Sequence, residues 1–210
     1  MAKIKLCGLS RKEDIIVANK LNPEYIGFVF APKSKRYVTF EQAAELKKDL
    51  KTTIKAVGVF VDEDIDNIVK LLKEEVIDAV QLHGHEDEEY ISELRTRVKE
   101  HREELIIKAF RIDTEEDIEK AVSSSADMIL LDAKDGGTGT QFDHSLLKKV
   151  KRKYFLAGGL SPDNVKNVLG ETSAYAVDVS SGIETNGVKD KNKMTAFVKA
   201  VRTFGKEVKR

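Results

Sequence analysis

The sequence predicts an α/β fold in which eight parallel strands, each followed by a helix, close into a single (βα)8 barrel. Short β-like runs recur roughly every 20 to 30 residues, and amphipathic helical stretches lie between them. No long linker or shift in composition divides the 210 residues. We therefore expect one domain over residues 1–210, built around one parallel sheet.

The strands are predicted from apolar runs, and the helices from apolar spacing and capping residues. Residues 64–72 carry apolar side chains at helical intervals. Thr39, Thr114 and the pair Ser161-Pro162 each precede an acidic first turn, which is typical of helix N-termini. The predicted strands cover residues 3–7, 25–30, 54–60, 79–83, 105–111, 128–132, 154–157 and 174–178.

Eight such units allow either a closed barrel or an open, doubly wound sheet. An open sheet of this kind usually carries a glycine-rich dinucleotide loop after its first strand. The segment Cys7-Gly8-Leu9-Ser10 is not such a loop, so the barrel is favoured, near the compact end of its usual size. A chain this short has little sequence for lids. We therefore expect a site built from strand ends and the loops just after them.

The composition limits the classes of partner. Apolar residues make up 41% and charged residues 34%, which is typical of a globular protein. The 36 basic and 36 acidic residues cancel, which argues against a nucleic-acid partner. No apolar run approaches the roughly 18 residues of a membrane span, and we expect no signal peptide before the first strand. With one cysteine, we expect a cytoplasmic protein; monomer and homodimer both stay open.

Polar residues at the strand ends are the candidates for function, because the site of a βα barrel lies at the C-terminal ends of its strands. Cys7 ends strand 1, His83 ends strand 4, Asp132 ends strand 6 and Asp178 ends strand 8. Arg36 follows strand 2.

Cys7 and Asp132 each have a functional and a structural interpretation. A lone cysteine is often a small buried hydrophobe, but a strand-end position favours chemistry. Asp132 ends the apolar run 128–131, where a carboxylate is costly unless satisfied, so it could instead accept hydrogen bonds from loop amides. Strands 1 and 6 would lie about 14 Å apart. Inward side chains would then flank a sugar-sized molecule.

Strand alternation places Lys5 on the same face as Cys7, one layer deeper. A cation there would lower the pKa of the thiol and increase the thiolate fraction. The alternative is that Lys5 pairs with an interior acid such as Asp178.

Two glycine-containing loops predict a phosphate site. Gly158 and Gly159 follow strand 7, and Ser180, Ser181 and Gly182 follow strand 8. The loops after strands 7 and 8 of this fold commonly hold phosphate through backbone amides. A Gly-Gly pair alone is more often a plain turn, so the prediction depends on both loops together.

A third glycine-rich loop, at 134–141, contains Gly137 and Gly139. It is either a flap that closes over a ligand or a flexible surface turn. His83 and His85 have no accompanying cluster of acidic ligands, so we expect no metal.

These features together resemble the phosphoribosylanthranilate isomerase family of tryptophan biosynthesis. The matching segments occur in the family's order and span nearly the whole chain. They are KLCGL at 5–9, GFVF at 27–30, SKR at 34–36, VQLHG at 80–84, LD at 131–132, GTG at 137–139, FD at 142–143, LAGGL at 156–160 and VDVSSGIE at 177–184.

The resemblance implies an Amadori rearrangement of a phosphorylated N-ribosyl aryl amine to an aminodeoxyribulose phosphate. By analogy, Cys7 is the general base and Asp132 the general acid. The steps are proton transfers, so neither a redox cofactor nor a metal is expected. Arg36 would pair with the substrate carboxylate, Asp178 would bind a sugar hydroxyl, and His83 would contact the substrate.

Three rival functions fit the sequence less well. A sugar-phosphate epimerase would need a strand-end set of His and Asp metal ligands, which the sequence does not supply. The next enzyme of the same pathway would need a strand-end lysine as general acid and a longer N-terminal segment. A non-catalytic sensor of sugar phosphates would not need both a thiol and a carboxyl.

Overall fold

The computed structural model describes residues 1–98, 105–132, 147 and 150–207, and in it eight parallel strands form a closed barrel. Their order around the barrel follows the chain, and the last strand pairs with the first. This confirms the predicted α/β class and the TIM barrel. The strands are β1 (Lys3–Cys7), β2 (Tyr25–Val29), β3 (Lys55–Phe60), β4 (Ala79–Leu82), β5 (Leu105–Arg111), β6 (Met128–Asp132), β7 (Tyr154–Ala157) and β8 (Ala176–Val179).

Helices pack around the barrel on its outer side. Those of the described residues are α1 (Lys12–Leu21), α2 (Phe40–Lys48), α3 (Ile65–Lys73), α4 (Glu88–Val98), α5 (Glu115–Ser123), α6 (Val165–Glu171) and α7 (Lys191–Glu207). After β8, a 3-10 turn at Ser181–Ile183 leads into a small hairpin of β9 (Glu184–Thr185) and β10 (Val188–Lys189). The predicted flap with Gly137 and Gly139 lies outside the described residues. None of the helices in the described ranges has the length and apolar character to cross a membrane.

Two of the three predicted helix starts are confirmed. The hydroxyls of Thr39 and Thr114 each accept a hydrogen bond from the backbone N–H three residues on, and so cap α2 and α5. The prediction at Ser161-Pro162 is wrong by about one turn. The Ser161 N–H donates to Asn164 Oδ1 at 2.8 Å, which closes a separate turn, and α6 begins only at Val165.

Five predicted strand ends shift by one or two residues. Phe30 and His83 fall just outside β2 and β4, although their N–H groups still donate to Val59 O at 2.9 Å and to Phe60 O at 2.8 Å. β3 begins one residue later than predicted, at Lys55. β8 begins at Ala176, where pairing with Lys3 starts, and continues one residue beyond Asp178.

Alternation along the strands separates an inner core from an outer one. In β6, Met128 and Leu130 belong to the cluster inside the barrel, whereas Ile129 and Leu131 pack against the helices. The same alternation directs Asp132 into the barrel at its C-terminal mouth. The candidate residues at strand ends therefore converge on one opening.

Candidate active site

Cys7 lies at the mouth of the barrel, where β1 and β2 run side by side. Its side chain is buried against Val29 and Val59, and Gly27 is its register partner on β2. A Cβ atom on Gly27 would lie 2.7 Å from Cys7 Sγ and 3.3 Å from Lys5 Nζ. The missing side chain at Gly27 thus provides the space in which the thiol and the ammonium group meet.

Lys5 pairs with Asp178, as the alternative interpretation of the sequence proposed. Its Nζ is fully buried and lies 3.1 Å from both carboxylate oxygens of Asp178. Burial lowers the pKa of Lys5, but the charge of Asp178 and the contact with Cys7 outweigh it, so the pKa lies above its usual value.

The net effect on Cys7 is opposite to the expected one. Burial raises the pKa of the Cys7 thiol, and the positive charge of Lys5, which acts in the expected direction, offsets only part of this. Asp178 raises the pKa further, and Lys189 lowers it. Lys5 therefore moderates the cost of a buried thiolate without making the thiol acidic.

Asp132 and His83 face the same opening from β6 and from the end of β4. The Asp132 side chain is half-buried, and its charge acts on the imidazole of His83. Desolvation lowers the pKa of His83 despite that carboxylate, and the residue is still exposed at the mouth. His83 is therefore a neutral ring at pH 7.

Gln81 orients the ring of His83. Its Nε2 lies 2.9 Å from His83 Nδ1. With the amide nitrogen as donor, Nδ1 accepts and the proton of the neutral ring lies on Nε2. This arrangement leaves His83 with an N–H donor for a ligand oxygen.

Arg36 is held at the rim by Glu184. Arg36 Nε donates to Oε1 at 2.6 Å and Nη2 donates to Oε2 at 2.8 Å, so the carboxylate grips one edge of the guanidinium. The stem of Arg36 lies over Gly8, where a Cβ atom would be 2.5 Å from Arg36 Cδ. The side chain is thus fixed directly after β1, beside the thiol.

The two predicted phosphate loops contact each other. Gly158 and Gly159 have φ angles of 100° and 58°, a left-handed turn that glycine favours. A Cβ atom on Gly182 would lie 1.9 Å from the carbonyl oxygen of Leu160, so the backbones after β7 and β8 pack closely. Ser180 connects this region to the end of β1, since its Oγ donates to the Cys7 backbone carbonyl at 3.2 Å.

The structure therefore gathers all the predicted site residues that it describes around one mouth. A thiol and a carboxyl face inward there, next to a glycine-lined turn, which suits proton transfer on a phosphorylated ligand. Within the described residues, there is no group of three or more His, Cys, Asp or Glu that could hold a metal ion.

Sequence reasoning missed three residues of the site: Gln81, Glu184 and Lys189. Glu184 ends the segment after strand 8, and a carboxylate beside a predicted phosphate loop was the available signal. Alternation with His83 could have pointed to Gln81. Nothing in the sequence marked Lys189, because it lies in a two-residue strand of a hairpin that the pattern did not reveal.

Comparison with known proteins identifies the family of this chain. The family model described as N-(5'-phosphoribosyl)anthranilate isomerase matches residues 4–200. A protein of that name from Endomicrobium trichonymphae is 45% identical over 97% of this chain and 100% of its own length. Another from Clostridium acetobutylicum is 43% identical, with the same coverage of both chains.

The fold comparison agrees. A crystal structure of a phosphoribosyl anthranilate isomerase, in complex with reduced 1-(o-carboxyphenylamino)-1-deoxyribulose 5-phosphate, is similar with a TM-score of 0.85 and 35% identity. The match covers 97% of this chain and 100% of that one. The similarity therefore extends over nearly the whole chain.

Proposed function

The chain belongs to the N-(5'-phosphoribosyl)anthranilate isomerase family and is an isomerase of tryptophan biosynthesis; from this premise, we propose how its residues perform the reaction. The reaction converts N-(5'-phosphoribosyl)anthranilate to 1-(2-carboxyphenylamino)-1-deoxyribulose 5-phosphate. The observation that carries the mechanism is that Cys7 and Asp132 both face into the barrel at its C-terminal mouth.

Asp132 acts first, as the general acid. It donates its proton to the ring oxygen of the ribose, the bond from that oxygen to C1 breaks, and the aryl nitrogen supplies electrons to form an iminium ion. The iminium makes the proton on C2 acidic. Desolvation lowers the pKa of the nearby His83, which disfavours its imidazolium form as a competing acid.

Cys7 acts second, as the general base. Its thiolate removes the C2 proton, the electron pair of that bond forms a double bond between C1 and C2, and the C=N π pair returns to the nitrogen, which gives a neutral enolamine. Protonation at C1 and loss of the hydroxyl proton at C2 then yield the ketone. Lys5 and Lys189 both favour the thiolate that this step consumes, against the larger effect of burial.

The remaining residues hold the substrate. Arg36 pairs with the anthranilate carboxylate, while His83 and Asp178 bind hydroxyls of the sugar. The loops at 158–159 and 180–182 hold the phosphate. Support comes from the solved relative, whose ligand carries both an aryl carboxylate and a phosphate. We further propose one catalytic domain over residues 1–210, cytoplasmic, as a monomer or homodimer.

A fluorescence assay tests the activity. Purified protein is added to freshly made N-(5'-phosphoribosyl)anthranilate, and the fluorescence of the substrate is followed. We expect a loss of signal proportional to the enzyme concentration and absent with heat-denatured protein. Decay no faster than that of the substrate alone would overturn the activity.

A further inference from the structure

Lys189 is a buried cation that the mechanism above does not use as a ligand-binding group. It lies on β10, outside the barrel strands, and its side chain is only 2% exposed. Its Nζ donates to the Ser180 carbonyl at 2.9 Å, to Ser180 Oγ at 3.3 Å and to Glu184 Oε1 at 2.6 Å. One ammonium group therefore joins the loop after β8 to the carboxylate that holds Arg36.

The carboxylate of Glu184 is shared between two cations. Burial raises the pKa of Glu184, but the hydrogen bonds from Arg36 and Lys189 outweigh it and lower the pKa. Glu184 is therefore ionised at neutral pH. Burial lowers the pKa of Lys189 and Glu184 offsets part of this, while three oxygen acceptors around Nζ suit an ammonium group. Arg36, Glu184 and Lys189 then form a cluster with a net charge of one positive unit, arranged as cation, anion, cation.

The hydrogen-bond geometry shows which edge of Arg36 faces the ligand. Glu184 occupies Nε and one side of Nη2. The other edge of the guanidinium, formed by Nη1 and the second Nη2 proton, can pair with a second carboxylate in the same bidentate way. A ligand carboxylate and Glu184 can thus bind one Arg36 together.

Sharing one arginine between two carboxylates is unfavourable without a further cation. If Lys189 were neutral, Arg36 and Glu184 would cancel, and the ligand carboxylate would approach a pair without net charge. With Lys189 charged, the negative charge of Glu184 is already balanced from its other side, and Arg36 keeps its attraction for the ligand.

We propose that Lys189 is a positioning residue that balances Glu184 and so lets Arg36 select substrates with an aryl carboxylate. The inference rests on the proposed function, because it assumes that Arg36 binds that carboxylate. It makes substrate selectivity depend on a residue that touches neither the reacting atoms nor the ligand.

Binding of two ligands tests the proposal. The probes are reduced 1-(o-carboxyphenylamino)-1-deoxyribulose 5-phosphate and the same compound without the ring carboxylate, each titrated calorimetrically. In Lys189→Met we expect the affinity for the carboxylated compound to fall about tenfold or more, and that for the other compound to fall by less than about threefold. Lys189→Arg, which keeps the charge, should keep the wild-type ratio.

A second neutral variant covers a failure of Lys189→Met to fold. Lys189→Gln retains a donor for the Ser180 carbonyl and should lose selectivity in the same way. The double variant Glu184→Gln/Lys189→Met restores a net charge of one positive unit, so it should regain much of the selectivity. Lys47→Met is the matched control, since Lys47 pairs with Asp78 at the opposite end of the barrel.

The outcomes separate the inference from the proposed function. A wild-type ratio in both neutral variants, or an equal loss for both ligands, would overturn the role of Lys189 while leaving the substrate site intact. A double variant as unselective as Lys189→Met would also overturn it. Wild-type protein that binds neither compound would overturn the proposed substrate site, and the inference with it.

Discussion

At the scale of single residues, two opposing effects set the pKa of the Cys7 thiol. Burial raises its pKa, and the ammonium of Lys5 works in the other direction. Gly27 makes the contact possible, because any side chain there would occupy the space of the sulfur. The base therefore depends on a cation one layer deeper and on a glycine of the neighbouring strand.

Replacing Lys5 tests this balance. Lys5→Met removes the charge that opposes burial and leaves that of Asp178, so the pKa of the Cys7 thiol should rise further. In Lys5→Met/Asp178→Asn the rise should be smaller, because the carboxylate that also raises the pKa is gone. The measurement is the rate of alkylation by iodoacetamide against pH, which reports one site because Cys7 is the only cysteine. An unmoved or lowered midpoint in Lys5→Met would contradict this account.

The two proton carriers can be tested directly. Cys7→Ala and Asp132→Asn should each lower kcat by at least about 100-fold, the scale of general acid–base catalysis. Both variants should still bind the reduced product analogue, since neither change removes Arg36 or the phosphate loops. Steady-state kinetics together with calorimetry separate the two effects. A variant that turns over at close to the wild-type rate would remove that residue from its assigned role.

At the residue scale, the sequence predicted where site residues lie on the strands better than it predicted their contacts and pKa shifts. Strand alternation correctly placed Lys5 beside Cys7, because a two-residue period fixes which side chains share a face. It could not determine the sign of the net pKa shift, which depends on how completely the barrel excludes water. Glu184 escaped prediction because its contact with Arg36 joins segments far apart in the chain, and no local pattern records such a contact. Lys189 escaped because it lies in a strand too short to show a period.

At the scale of elements, the site depends on how the loops after β7 and β8 fit together. Gly182 packs its backbone against the carbonyl of Leu160, so the two candidate phosphate loops form one surface. The sequence predicted both loops from their glycines and from their positions after strands 7 and 8. It missed the β9–β10 hairpin, because strands of two residues are too short to show a period.

A methyl group at Gly182 should separate these loops. In Gly182→Ala the new Cβ would meet the carbonyl oxygen of Leu160 at 1.9 Å, so one backbone must move. We expect KM for the phosphorylated substrate to rise about tenfold or more, with a smaller effect on kcat, because the displaced amides no longer converge on the phosphate.

Gly170→Ala is the matched control. Gly170 lies in α6, and a Cβ atom there would come no nearer than 3.9 Å to Phe204, so this change should leave KM unchanged. Alanine is also the better helix former, by about 1 kcal/mol. An unchanged KM in Gly182→Ala would mean that the two loops do not bind the phosphate jointly.

At the scale of the whole molecule, the barrel is closed by contacts between the two ends of the chain. β1 pairs with β8, and the buried ion pair of Lys5 and Asp178 lies on that seam. Arg202 of α7 donates to Glu24 Oε1 at 2.9 Å, and the other oxygen of Glu24 accepts from the Ile4 N–H at 2.8 Å. The N-terminal part of β1, the strand that carries Cys7, is thus held by the last helix as well as by its neighbouring strands.

Phe197 tests how far stability depends on that last helix. Its ring is fully buried in the outer core on α7, so Phe197→Ala should destabilise the fold by about 3–5 kcal/mol. For a chain of this size, that corresponds to a fall in Tm of about 10 °C, measured by calorimetry or circular dichroism. Lys199→Ala, on the exposed side of the same helix, should change Tm by no more than about 2 °C. Below its Tm the Phe197 variant should keep its KM, because Phe197 lies outside the barrel and Cys7 and Asp132 lie within it. A large change in KM at low temperature, or equal Tm values for the two variants, would show that α7 does not stabilise the barrel in this way.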